Sequence, residues 1–414
     1  MSFPSTEVLN QVYGESAAAA KVRLEELGSR YEELFGAADL AYFTAPGRTE
    51  IIGNHTDHNG GKILAASITM DTICAAAPNG TSMVNIASEG YPMVSLDISK
   101  LGEVPHCQGT PSLLAGMIES TIERGYAVNG FNATVSSEVI PAAGVSSSAS
   151  FEMLVCAIIN GLFNDNAIDV ATFALIGQYA ENVWWEKASG LLDQMACAVG
   201  GTILLDFSHG VNFERVDFAY DELGCELVLV NTGKGHADLS AEYSAVPDEM
   251  HAVAKALGVS NLCESSEQEL LEKLDEVRAS VGSDRAIMRA LHFFEECARV
   301  DEAAKALAAG DRARMLTLID ESGSSSWRWL QNAYVADVAS EQPIPLALAL
   351  TELYLKKIGG GACRLHGGGF AGVIMCAVPK ESAASYVELM SRTFGESNVY
   401  LTNIRATGAC QLAC

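Results

Sequence analysis

The residues best equipped for chemistry lie together between Pro46 and Gly61, in the stretch PGRTEIIGNHTDHNGG. It gathers a guanidinium (Arg48), two imidazoles (His55, His58), a carboxylate (Asp57) and two amides (Asn54, Asn59), spaced by Gly47, Gly53, Gly60 and Gly61. An ordinary turn needs its glycines and one Asn or Asp for positive φ and an Asx hydrogen bond. This fuller set of donors and acceptors suits a small polyol. A polar surface loop is the alternative these residues alone leave open, because loops are polar whether or not they carry function.

Three further segments carry chemical groups. Pro141 to Glu152, PAAGVSSSASFE, runs from a strand through small residues into a helix whose Phe151, Leu154, Val155, Ile158, Ile159 and Leu162 fall at i, i+3, i+4, i+7, i+8 and i+11. The start of such a helix offers unpaired N–H groups and partial positive charge, and small residues let an anion approach. Three consecutive serines exceed what a serine N-cap requires. Asp193 sits in the apolar run LLDQMA, where a carboxylate is either paired or functional because an uncompensated buried charge is costly; a helix-start Asp is the plainer reading. The run RLHGGGFAGVIMCAV, Arg364 to Val378, satisfies GxGxxG but leads into a strand ended by Pro379. A dinucleotide fingerprint must open a helix, so that reading fails. The HGGG within it has no GxSxG partner in the chain, which leaves a glycine turn built for close backbone approach to a ligand or another loop.

The elements that must position these groups follow from periodicity. Helix is expected over Thr6–Phe35, near Ser112–Gly125, and over Val170–Trp185, with strands at Leu40–Thr44, Glu50–Ile52, Ile63–Ile68, Thr72–Ala77, Met83–Ile86, Met93–Asp97, Asn132–Ile140 and Thr202–Phe207. After a composition shift at SHGVNFERVDFAYDELG come the strand Glu226–Asn231 and helices near Ser240–Leu257, Glu267–Ala279, Arg285–Ala308, Arg312–Asp320, Trp327–Tyr334 and Pro345–Lys357. At 414 residues the chain exceeds the roughly 250 to 300 at which one core stops growing. Two lobes are therefore expected, residues 1–215 and 216–414, in an α+β chain with a cleft between them.

Composition narrows the function. With 49% hydrophobic and 19% charged residues the chain is globular, and 26 basic against 52 acidic residues give a net charge of -26 that repels nucleic acid and anionic membranes. The N-terminus has no basic start or apolar core of a signal peptide, and no segment approaches 18 uninterrupted apolar residues. A cytoplasmic protein is expected, a monomer or weak homo-oligomer with no nucleic-acid or membrane partner. Eleven scattered cysteines without a CxxC pair read as reduced, mostly buried small hydrophobes.

Taken in order, the three glycine-bearing segments resemble the motifs of the sugar, homoserine and mevalonate kinase superfamily. GRTEIIGNHTDHNGG resembles the galactokinase signature specifically, and AEN with Glu181, SGLLDQ around Asp193, and AEY at Ala241–Tyr243 extend the resemblance over nearly the whole chain. The resemblance implies a two-lobed α+β fold with the active site between lobes, and MgATP-dependent phosphorylation of the anomeric hydroxyl of a galactose-like sugar. It implies that Ala143, Gly144, Ser146, Ser147, Ser148 and Ala149 wrap the ATP phosphates, that Ser148 and Glu181 hold Mg²⁺, and that Asp193 is base or orienter beside Arg48. Asn54, His55, Asp57, Gly190 and Tyr243 would contact sugar hydroxyls. The chain departs from the signature at Asn54, where the family has glutamate, and at His58, where it has tyrosine. Ala142 replaces a glycine, Leu192 a methionine, and Leu365 with His366 the usual pair before the third glycine run. A non-catalytic sugar- and ATP-binding sensor on the same scaffold is the rival reading, as is a kinase for a different sugar because of Asn54. A metal hydrolase using His55, Asp57 and His58 is a third, although their spacing is not the helical i, i+4 pair that such sites use.

Overall fold

The computed structural model describes residues 3–141, 144–187, 189–233, 239–335, 338, 340–370 and 372–413. Two long strands form the spine of the first lobe. Following helices α1 (Thr6–Tyr13) and α2 (Ala17–Phe35), strand β1 (Ala41–Ile52) is buried along its whole length and pairs antiparallel with β2 (Lys62–Pro78). Sequence periodicity breaks each of these strands in two; the structure joins the pieces. The polar interruptions in β1 fall at two register shifts, Pro46/Arg48 and Glu50/Ile52, where a bulge bends the strand and redirects a side chain. Pro46 at the first shift has no N–H to offer the ladder. The expected single N-terminal helix is likewise interrupted, by a turn at Gly14–Ser16.

The rest of the lobe follows as β3 (Met83–Ser88), β4 (Val94–Asp97), α3 (Thr110–Glu123), β5 (Phe131–Ser137), α4 (Ser147–Phe163), α5 (Val170–Tyr179), α6 (Leu192–Val199), β6 (Thr202–Asp206) and β7 (Asn212–Val216). Helices α3, α4 and α5 cover one face of the sheet through Leu114, Ile118, Met153, Leu154, Ile158 and Phe173, while α1 and α2 cover the other through Leu9, Leu24 and Tyr31.

The second lobe opens with β8 (Cys225–Asn231), then α7 (Ser240–Leu257), α8 (Glu267–Glu272), α9 (Leu274–Val281), α10 (Asp284–Ala308), α11 (Arg312–Ser325) and α12 (Pro343–Ile358). It continues with β9 (Ala362–His366), β10 (Val373–Pro379), α13 (Lys380–Phe394), β11 (Val399–Thr402) and β12 (Cys410–Gln411). Its sheet runs β11-β8-β10-β9, whereas β12 returns to pair with β1 in the first lobe. Nearby, Arg405 reaches the fully buried Asp71 at 2.8 Å, a carboxylate also held by Arg23, Tyr13 and Thr44. The fold is a two-lobed α+β fold. Among the described residues no helix is long and apolar enough to cross a membrane.

Candidate active site

A cavity of about 800 Å³ opens between the lobes, lined by Arg48, Asn54, His55, Asp57, Gly144, Ser146, Ser147, Ser148, Glu181, Gly190, Asp193 and Tyr243 among others. Of the site residues read from sequence, these twelve line it; Ala149 is buried one position further into α4, and Ala143 lies outside the described residues, as does Ala142.

At one end stands a charged cluster. Arg48, projecting from the first shift in β1, donates from Nε to Asp193 Oδ1 at 2.8 Å and from Nη1 to the carbonyl of Gly144. Asp193 occupies the first turn of α6, and its other oxygen accepts from the Ser146 hydroxyl. Ser146 is the residue before α4 and sits in the left-handed region, φ 58. Its hydroxyl makes no helix cap, so the conformation, which costs an L-residue about 1 to 2 kcal/mol, serves to aim it at Asp193. Burial pushes the Asp193 carboxyl up, but the Arg48 charge and the Ser146 hydrogen bond outweigh it and hold the pKa below the usual value. Asp193 is therefore ionised at neutral pH, with a third of its side chain open to the cleft.

Behind the α4 N-terminus, Ser148 Oγ donates to Glu181 Oε1 at 3.2 Å, and Lys187 Nζ lies 2.9 Å from the same oxygen. Glu181 sits on a π-helical turn, Ala180–Trp184, where the sequence pattern predicts continuous helix; such turns displace a side chain from helical phase. Gln194 bridges Glu181 and the fully buried Glu152. Lys187 and Glu152 were not singled out from sequence, since an exposed lysine and a helical glutamate carry no local signal.

The other end is built around the loop between β1 and β2. Asp57 accepts from the backbone N–H of His58 at 3.0 Å, and its carboxylate lies against Gly190. A Cβ at Gly190 would fall 1.7 Å from Asp57 Oδ2, so glycine is required there for the carboxylate to occupy its place. His55 adopts φ 59, and its Nε2 lies 2.9 Å from the carbonyl of Gly368. Burial and the neighbouring His58 push its pKa down to about 4. The imidazole is thus neutral, donates through Nε2 and keeps Nδ1 as an acceptor. Among the described residues no three His, Cys, Asp or Glu side chains are grouped to hold a metal ion, so the metal-hydrolase reading finds no support. Tyr243 donates to the carbonyl of Gly369 at 2.8 Å, and its ring lies so close that a Cβ on Gly368 would meet Cε1 at 2.3 Å.

Asn54 differs from the expectation of a sugar contact. It is 1% exposed, and its amide donates to Glu50 Oε1 at 2.9 Å and to Gly367 O at 2.8 Å. Its carbonyl oxygen accepts from Asn332 Nδ2 at 2.8 Å and Ser326 Oγ at 3.3 Å. All four hydrogen-bonding positions of the amide are occupied by protein.

Known proteins resemble this chain over most of its length. Residues 29–78 match the galactokinase galactose-binding signature, and residues 112–201 the N-terminal domain of GHMP kinases. The galactokinase of Lactococcus lactis subsp. lactis is 30% identical over 384 residues, covering 90% of this chain and 92% of its own. The chain belongs to the galactokinase family. The galactokinase of Clostridium tetani is 27% identical over 385 residues, 91% of this chain and 93% of that protein. A crystal structure of Lactococcus lactis galactokinase complexed with galactose superposes with a TM-score of 0.80 at 25% identity, covering 93% of this chain and 98% of that one. As a family member the chain is a sugar kinase, and ATP is its nucleotide.

Proposed function

We propose that the cleft transfers the terminal phosphoryl group of ATP to the anomeric hydroxyl of galactose or a close galactose-like sugar. The observation that carries this is the Arg48–Asp193–Ser146 cluster, which holds one ionised carboxylate, partly open to the cleft, at the mouth of the α4 N-terminus. The sugar hydroxyl donates its hydrogen bond to Asp193, which turns the oxygen lone pair toward the phosphoryl group. As the new O–P bond forms and the bond to the ADP oxygen breaks, the hydroxyl proton passes to Asp193. Because Arg48 depresses the basicity of that carboxylate, orientation dominates and proton transfer comes late, as suits phosphoryl transfer. Arg48, 5% exposed, offsets charge that develops on the transferring group.

The phosphates would lie along Gly144, Ser146, Ser147, Ser148 and Ala149, where the first turn of α4 leaves N–H groups without helical partners. Ser148 and Glu181 offer hydroxyl and carboxylate oxygens 3.2 Å apart, a donor pair that fits Mg²⁺ when phosphates and water complete its shell. When bound, that ion neutralises phosphate charge. Asp57, His55 and Tyr243 would receive the sugar, with Gly190 making room for Asp57. Turnover by purified protein with ATP and a magnesium salt, against galactose, its epimers, galacturonate and arabinose, is the direct test. Phosphorylation of galactose at its anomeric oxygen is expected; no product from any of these sugars defeats the proposal.

A further inference from the structure

Successive carbonyls of the glycine turn are taken by three different residues of the cleft wall. Gly367 O accepts from Asn54, Gly368 O from His55, and Gly369 O from Tyr243. The turn is thus the part on which the sugar end of the cleft is assembled, and Asn54 is the member of the set turned wholly into protein. Its main chain is committed as well: N–H faces Glu296 Oε1 at 3.3 Å, and the carbonyl accepts from His292 Nε2 at 2.9 Å. Asn332, which holds the Asn54 oxygen, also donates to Gly368 O at 3.1 Å, and its backbone carbonyl accepts from Phe370 N–H.

We propose that Asn54 is a positioning residue that sets the sugar site without touching the sugar, by clamping the carbonyl of Gly367 and so fixing the turn that orients His55 and Tyr243. The inference rests on reading the cleft as a sugar site. An amide is needed because the residue must donate twice, to a buried carboxylate at Glu50 and to a carbonyl, and accept twice. A carboxylate at this position would have no N–H, and would face the Glu50 carboxylate and Gly367 O with like partial charge. A sugar hydroxyl could reach the Asn54 amide only by displacing one of these bonds, leaving a buried partner unpaired.

The experiment compares wild type, Asn54→Ala and Asn332→Ala on galactose and each of its monodeoxy analogues, with the KM for ATP as control. If wild type turns over no sugar, the function proposed for the cleft falls and this inference falls with it; the remaining outcomes bear on Asn54 alone. A positioning role predicts that kcat/KM for sugar falls about tenfold or more in Asn54→Ala. The factor should be equal on galactose and on every deoxy sugar, with the KM for ATP unchanged. Asn332→Ala, which loosens the same clamp away from the cavity wall, should show the same uniform pattern at smaller size. A penalty that vanishes for one deoxy sugar would identify a direct contact and overturn the proposal, as would an Asn332→Ala enzyme with unaltered sugar kinetics.

Asn54→Asp supplies a second readout if the alanine variant fails to fold. Its carboxyl would face Glu50 on β1, which Arg364 and His366 on β9 hold in turn; His292 and Glu296 on α10 meet the main chain of residue 54, Arg299 pairs with Glu296, and His55 is next in sequence. Only the protonated acid can donate, and burial beside Glu50 favours that form. Sugar kinetics lost at about pH 8 should return in part at about pH 5.5 relative to wild type; a deficit independent of pH would overturn the clamp.

Discussion

The two ends of the cleft are made by opposite means. The end proposed for phosphoryl transfer is ionic and partly open: Asp193 and Lys187 carry charge into a space that solvent reaches, the buried Arg48 and Glu181 pair with them, and all four belong to the first lobe. The end proposed for sugar is held from beneath by a buried network that crosses lobes. There Glu50 pairs with Arg364 at 2.8 Å, Gly53 N–H donates to Glu296 at 2.9 Å, and Glu296 is bound by Arg299 and Ser322. The difference teaches where each property is set. Where phosphoryl transfer is proposed, part of the charge stays accessible to respond to a reaction, whereas at the end proposed for sugar a buried frame fixes shape and leaves only its last atoms exposed.

The contrast is broken most severely at Asp193. Asp193→Asn keeps the side-chain volume and removes the charge, and kcat should fall by about a thousandfold or more with little change in the KM for sugar. Equal rates for variant and wild type would show that Asp193 has no part in the transfer. The buried frame should fail by stability instead. Burial alone would raise the Glu296 carboxyl, but His292, Arg299 and Arg364 outweigh it and hold the folded pKa at about 2. Because the folded value lies below the unfolded one, the contribution is complete above about pH 4.5 and is lost as pH falls toward 2, amounting to about 3 kcal/mol. Thermal melts across that window should show the slope in wild type and a flatter line in Glu296→Gln; parallel lines would remove Glu296 from the account.

Smaller effects sharpen the boundary between the ends. Gly190→Ala forces the Asp57 carboxylate aside and should raise the KM for sugar about ten- to a hundredfold while leaving the KM for ATP within about twofold. A variant affected equally in both constants would place Gly190 in the frame of the whole cleft. Ser148→Ala should do the reverse, raising the magnesium concentration needed for half-maximal rate by about tenfold, with sugar affinity kept. An unchanged magnesium titration would remove Ser148 from the set of metal donors.

The sequence was most legible where chemistry is local. The helix beginning at Ser147 was readable from its apolar spacing, and the glycine-bearing loops from their polar density, because both signals lie within about a dozen residues. Strand continuity through Pro46 and Gly47 was not, since the register shifts that accommodate them depend on β2. The role of Asn54 was hidden for a like reason: its partners Gly367, Asn332 and Ser326 lie 313, 278 and 272 positions away. Polarity in a loop reads the same whether the group faces a ligand or a neighbouring helix. Glu50, four positions before Asn54, was the nearest available signal, a carboxylate inside a run of strand-forming residues with no partner in sight.

The return of β12 to β1, and of Arg405 to Asp71, bears on how the chain is made. The central hairpin of the first lobe emerges from the ribosome more than three hundred residues before Arg405, yet it carries at Asp71 a fully buried carboxylate for which Arg405 is a partner. During synthesis that carboxylate has Arg23, Tyr13 and Thr44 alone, and one flank of β1 is an unpaired edge. The full pairing of that hairpin therefore waits on residues made long after it, near Arg405 and β12.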